Sequence, residues 1–348
     1  MINVAKKQVQ LLPNHNRRFH NEFQLSDANN KKFSILSSNQ LILERVACPE
    51  KLKLIDTFVS ENSHTLPNVT WTYDANGVCQ GEYSQICAPP FLEFKDTPEY
   101  YTAGPSKFLQ CMSRKAMSRV SKSLSWLLND PLNFFYSQMD LIDYSCTKNC
   151  ESVRKANFYD SIEAAQTTLN ATIENEWKYL LIVRDPIERF ISGYTHIGRL
   201  ETCEHKCFGC GANVTCFIEQ LTKQVWEMHR VKMQIDVAVD HLRPQTWGCQ
   251  LHKYYQNYTI LHYNSDSQIF FDTQLGPFLR SRNVSDNAFE YIRNRMISMR
   301  TKHSTSQFKH KEFLEKRIRN SPYLTKLLLQ LFYHDYKAFG LTLPEVPI

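Results

Sequence analysis

The chain has 348 residues, 42% apolar and 22% charged, a globular composition too apolar for a disordered polymer. Lys plus Arg number 41 against 35 Asp plus Glu, and the formal charge of +6 suits an anionic partner without requiring nucleic acid. Ten glycines argue against collagen and Gly-rich phosphate loops, while eleven cysteines point to a few disulfides or a zinc site.

In chain order, residues 1–33 read as a flexible polar tail without the apolar core of a signal peptide. No apolar run in the chain is long enough to predict a spanning helix. Residues 34–95 read as an extension carrying Cys48, Cys79 and Cys87, closed by the breaker Cys87-Ala-Pro-Pro-Phe91. From residue 96 to 348 strand and helix patterns alternate. Ser106–Met112 reads as a short strand. Residues 116–129 read as a helix with Met117, Val120, Leu124, Leu127 and Leu128 on one face. Trp177–Val183 is a continuous apolar run of the kind buried in a parallel sheet. Pro186 opens a helix at its first turn, where its missing N–H is not needed. Tyr258–Tyr263 reads as another buried strand. Asp286 caps a helix through Arg300, and Ser321-Pro322 starts a last core helix that Gly340 ends. The alternation predicts an α/β fold with a central, mainly parallel sheet flanked by helices.

Ligands of such folds sit at the carboxyl ends of strands, beside helix N-termini. That directs attention to two strand-to-helix junctions, residues 111–119 and 183–194. The first, Cys111-Met-Ser-Arg-Lys115-Ala-Met-Ser118-Arg119, sets a lysine in the turn and a hydroxyl in the first helical turn. Backbone N–H groups there attract an anion, and the lysine adds a point charge. The GxxxxGK[ST] pattern is absent, and a solvated basic turn is the alternative reading. The second, Arg184-Asp185-Pro186-Ile-Glu-Arg189-Phe-Ile-Ser192-Gly-Tyr194, offers an Arg fork and a hydroxyl that together can hold a phosphate from two sides. Its alternative is an Arg184–Asp185 surface pair with Ser192 packed inward.

The string Arg184-Asp-Pro-x-x-Arg-x-x-Ser192-x-Tyr194 resembles the 3′-phosphate-binding motif of sulfotransferases. Lys115-x-x-Ser118, some seventy residues upstream, resembles their 5′-phosphosulfate loop. Cys203-x-x-x-Cys207-x-x-Cys210, His241-Leu-Arg-Pro244-Gln245 and Arg300-Thr-Lys-His303-Ser304-Thr305 are similar to segments of the Golgi carbohydrate sulfotransferases of chondroitin 4-O-sulfotransferase type, in a divergent nematode-like group. The resemblance covers about residues 88 to 340. It implies a P-loop-like sulfotransferase fold and transfer of a sulfuryl group from 3′-phosphoadenosine-5′-phosphosulfate (PAPS) to a glycan hydroxyl, a chondroitin-like, anionic glycosaminoglycan being the expected acceptor. On it, Lys115 and Ser118 contact the 5′-phosphosulfate, Arg184 and Ser192 the 3′-phosphate, Thr305 lines the donor site, and His241 is the general base. No metal is expected. Golgi lumen is the implied location, with a membrane link only through an anchor not visible in the sequence.

Relatives usually have Pro before the loop lysine and a small hydroxyl residue after the serine; here these are Arg114 and Arg119. Two extra guanidiniums either tighten phosphosulfate binding or fill the loop, and the second outcome leaves an inactive lumenal glycan-binding protein. The irregular spacing of Cys203, Cys207, Cys210 and Cys216 fits disulfides better than a zinc knuckle. Sequons at Asn68, Asn170, Asn213, Asn257 and Asn283 suit a glycosylated protein.

Overall fold

The computed structural model describes residues 87–88, 90–91, 99–142, 157–198, 207–231, 237–298 and 309–345. The predicted tail, most of the extension, Cys203 and Thr305 lie outside the described residues. Among the described residues, five strands form one sheet: β1 (Tyr100–Ala103), β2 (Phe108–Cys111), β3 (Phe158–Tyr159), β4 (Lys178–Arg184) and β5 (Tyr258–Tyr263). Their spatial order is β3-β1-β2-β4-β5. The β2–β4 and β4–β5 ladders are parallel, as the alternation predicts, while β1 pairs antiparallel with β2 and β3 at one edge.

The helices used below are α1 (Ser118–Asn129), α2 (Ile162–Leu169), α3 (Pro186–Ile197), α4 (Val214–Val231), α5 (Val237–Leu242), α6 (Asp286–Ser298), α7 (Lys309–Arg319) and α8 (Pro322–Ala338). Strand β4 explains why the sheet is covered on both sides. Its side chains alternate, with Leu180 and Ile182 packing in one cluster with Leu124 and Leu127 of α1 and Ile292 of α6. Tyr179, Leu181 and Val183 pack in the other, with Ile162 and Ala165 of α2. A third cluster joins α3, α4, α5 and α8 and takes in Ala88 from the segment before the sheet. Among the described residues, no helix is long and apolar enough to cross a membrane.

Two contacts hold the helical layer to the end of the sheet. Gly193 lies against Leu242, and a Cβ there would run into that side chain, so glycine permits the close approach of α5 to α3. Asp335 of α8, wholly buried, accepts hydrogen bonds from the Gln245 N–H at 2.8 Å, the Thr246 N–H at 2.9 Å and the Thr246 hydroxyl at 3.0 Å. Burial pushes its carboxyl up, against the pull of Arg189 and these three donors. Burial likewise lowers Arg189 to about 10, against the attraction of Asp335. Asp335→Ala strands a buried guanidinium and two backbone donors. It should lower the unfolding free energy by about 3–5 kcal/mol, seen as a fall in the urea midpoint. Asp335→Asn, which keeps an acceptor oxygen, should lose less.

Candidate functional site

Both predicted junctions lie at the carboxyl ends of parallel neighbours, β2 and β4. After Cys111 the chain turns through Met112–Met117 into α1. Lys115 (φ 68°) and Met117 (φ 61°) are left-handed, although neither is glycine. Such conformations cost about 1–2 kcal/mol each. Left-handed residues beside right-handed ones turn successive N–H groups toward one concavity, the geometry of anion-binding nests. No side chain caps the N-terminus of α1, and no acidic residue lies in its first turn. Ser118 is the first residue of that helix and is half-buried. The positive end of α1 therefore faces the turn that carries Lys115.

The second junction is built differently. Asp185 caps α3, accepting from the Glu188 N–H at 2.8 Å. The Arg184–Asp185 surface pair is thus not formed: the acid satisfies the helix end, and Arg184 is buried. The Arg184 guanidinium lies over the Tyr263 ring, 5.2 Å from its centroid. Its Nε and Nη2 donate to Glu188 Oε2 at 3.2 and 3.0 Å, and Nη2 also reaches Ser265 Oγ at 3.3 Å. Its Nη1 donates to the Lys115 carbonyl at 3.4 Å, which brings the two junctions together. Burial raises the Glu188 carboxyl, but Arg184 and the Ser265 hydroxyl hold it below its ordinary value. An internal carboxylate thus faces the fork that the sequence reading gave to a phosphate. The i, i+4 spacing of Arg184 and Glu188 is the sequence signal for this pair.

Ser192 is buried two turns along α3, 6% exposed. Arg189, on the same helix face, turns inward. It donates to the carbonyls of His241 (3.0 Å) and Arg243 and closes the C-terminal end of α5. Arg189 thus ties α3 to the end of α5 and also lines the cleft between the loop and the segment after α5.

Between the loop and the segment after α5 lies an open cleft. Ser113 and Arg114 line one side, Asp240, Arg243 and Gln245 the other. Arg114 bridges the acids, with Nε 3.1 Å from Asp240 and Nη2 3.4 Å from Glu99. Arg119 is exposed on the first turn of α1. His241 stacks on His196 with ring centroids 5.5 Å apart, and its Nδ1 is 3.8 Å from Asp240. Asp240 lines the cleft, and His241 is not among the lining residues.

The Cys111–Cys249 disulfide forms part of the cleft wall and ties the end of β2 to the turn carrying Gln245. Cys210 and Cys216 form a second disulfide, and Cys87 and Cys207 are disulfide-bonded too. Three of the four cysteines weighed as zinc ligands are therefore in disulfides. No group of three or more His, Cys, Asp or Glu able to hold a metal occurs among the described residues.

A family model described as "Sulfotransferase family" matches residues 98–342. Three proteins of Caenorhabditis elegans are similar. "Uncharacterized protein C18B2.2" is 30% identical over 74% of this chain and 73% of its own length. "Putative sulfotransferase vep-2" is 27% identical over 74% and 79%. "Carbohydrate sulfotransferase chst-1" is 22% identical over 72% and 77%. No solved structure matches.

Cys249→Ser opens a disulfide between residues 138 apart. It should lower the unfolding free energy by about 2–5 kcal/mol. Denaturant curves should show a reductant-sensitive increment in the parent that shrinks in the variant.

Proposed function

The chain belongs to the sulfotransferase family, and on that premise we propose that it transfers a sulfuryl group from PAPS to a hydroxyl of a glycan. The observation that carries the reading is the uncapped, positive N-terminus of α1 behind the left-handed Lys115 turn, joined to Arg184 by the hydrogen bond to the Lys115 carbonyl.

In this reading Lys115, Ser118 and the N–H groups of the turn hold the 5′-phosphosulfate, and Arg184 and Ser192 hold the 3′-phosphate. The sugar hydroxyl attacks sulfur in line, and the S–O bond to the 5′-phosphate breaks with its electron pair going to the phosphate. Charge grows on the bridging oxygen, where Lys115 and the helix end stabilise it without rearrangement. His241 is assigned the hydroxyl proton, since imidazole takes up protons near neutral pH. It would reach the cleft beside Asp240, its neighbour in α5. Thr305 is assigned to the donor site wall. Neither added arginine blocks the loop in this account, because Arg114 is held by Glu99 and Asp240 and Arg119 is exposed.

The acceptor is proposed to be an anionic, chondroitin-like glycosaminoglycan. The net charge of +6 and the relative named a carbohydrate sulfotransferase support that class. The disulfides support a lumenal setting such as the Golgi. The sequence before residue 96 is proposed as a polar tail and a cysteine-bearing extension to one transferase domain.

Calorimetry against adenosine 3′,5′-bisphosphate tests the donor site. Arg184→Ala should weaken binding about 100-fold, the loss expected for charge-assisted hydrogen bonds. Lys115→Ala should cut sulfate transfer about 100-fold or more while changing the affinity for bisphosphate far less. Undiminished bisphosphate binding by Arg184→Ala would refute the assignment.

A further inference from the structure

Strand β4 outruns its neighbour. The β2–β4 ladder ends at Cys111 opposite Leu181, whereas β4 continues beside β5 to Arg184 opposite Tyr263. On its β2 side the last residue of β4 therefore has no strand partner for its backbone. The side chain of Gln245 takes that place. Its Oε1 accepts from the Arg184 N–H at 3.1 Å, and its Nε2 donates to the Arg184 carbonyl at 2.9 Å. This two-point exchange between a primary amide and one residue imitates a β-ladder pair. The same Oε1 accepts from Ser113 Oγ, 3.3 Å away in the turn before Lys115. Gln245 is itself fixed, since its main-chain N–H donates to buried Asp335 and the residue is only 6% exposed.

We infer that Gln245 is a positioning residue that sets Arg184 relative to the Lys115 turn, so that one rigid amide fixes the span between the two phosphates of the donor. This rests on the donor site proposed above. The role needs an acceptor and a donor on one planar group at this reach. Glutamate lacks the donor, and asparagine is one methylene short.

The test measures the affinities of adenosine 3′,5′-bisphosphate and adenosine 5′-phosphate, with thermal unfolding alongside. Their ratio reports what Arg184 gains from the 3′-phosphate, and a general loss of stability would not move it. Gln245→Ala and Gln245→Glu should both lower the ratio about tenfold, from the two hydrogen bonds that fix Arg184. A folded Gln245→Ala protein that keeps the wild-type ratio overturns the inference, whatever its melting temperature. If both variants fail to fold, Ser113→Ala decides: it should weaken bisphosphate binding about threefold, and unchanged affinity breaks the link to the turn. A wild-type protein with no preference for the bisphosphate would bring down the donor site itself, and the coupling with it.

Different residues carry a second inference. Of the sequons in the described residues, Asn170, Asn257 and Asn283 are exposed. Asn257 immediately precedes β5. Asn170 adjoins Ala171, whose carbonyl accepts from Tyr179 near the start of β4 at 3.0 Å. Asn283 follows Arg282, which donates to the carbonyls of Ser106 and Glu176 just ahead of β2 and β4. All three thus lie at the strand-start end of the sheet, opposite the carboxyl ends where the two junctions stand. Asn213 differs. It is half-buried, and its Oδ1 accepts from the N–H groups of Thr215 (3.1 Å) and Cys216 (3.2 Å) inside the Cys210–Cys216 loop.

We propose that N-linked glycans occupy Asn170, Asn257 and Asn283 and leave Asn213 bare, clothing the end of the sheet remote from the site. This rests on the lumenal setting. The full chain, directed into the secretory pathway of animal cells by an added leader, is released with N-glycosidase in heavy-oxygen water, which marks each occupied Asn as labelled Asp. Marks at the three exposed positions are expected. A mark at Asn213, or none at one of the three, overturns the proposal.

Discussion

One buried carboxylate organises this molecule. Asp335 sits in the last long helix, yet its partners are the backbone of residues 245 and 246 and the positive field of Arg189. A charge taken out of water must be matched by donors held in place. Matching Asp335 fixes the turn after α5, and that turn carries the side chain that completes the end of β4. Helix α8, the middle of the chain and the sheet are thereby one electrostatic unit. Arg189 serves the same unit from the other side by closing the carbonyls at the end of α5.

The two junctions solve one problem in opposite ways. At β4 the helix end is already satisfied by Asp185, so the useful group is the Arg184 side chain, held ready by an internal glutamate. At β2 the helix end is bare of any side-chain cap, and a turn strained at Lys115 and Met117 takes the place of the usual glycines. One junction offers a guanidinium and the other a field of backbone dipoles. The 3.4 Å contact from Arg184 to the Lys115 carbonyl joins them.

Much of this arrangement was legible in the residue pattern. The Trp177–Val183 run announces a strand buried on both faces, and β4 is that strand; Tyr258–Tyr263 coincides with β5. Both junctions are where the alternation puts them. Strand β1 escaped, because its four residues, paired on both sides and buried on both faces, show no alternation to read. The inward turn of Arg189 escaped too, since a 3.6-residue repeat gives a helix face but not what packs on it. Glu188 stands at helical spacing from Arg184, but spacing alone does not tell whether it or the adjacent Asp185 takes the guanidinium. Gln245 stands out in the sequence only within the segment His241–Gln245 that resembles those of carbohydrate sulfotransferases. Its role depends on β4 outrunning β2, a matter of register that one chain read alone does not disclose. Thr305 and the first eighty-six residues lie outside the described residues.

The Cys111–Cys249 bond has a mechanical meaning as well. It closes a loop that holds β3, β4 and helices α1 to α5, with Cys111 and Cys249 138 residues apart. Tension applied at the two ends of the chain would pass through the sulfur atoms and bypass everything between them. About 450–500 Å of contour length would stay hidden until the bond is reduced. Both junctions begin or lie within that loop, so a pull would reach the candidate site through Cys111 and Cys249 in the cleft wall and leave the rest of it shielded.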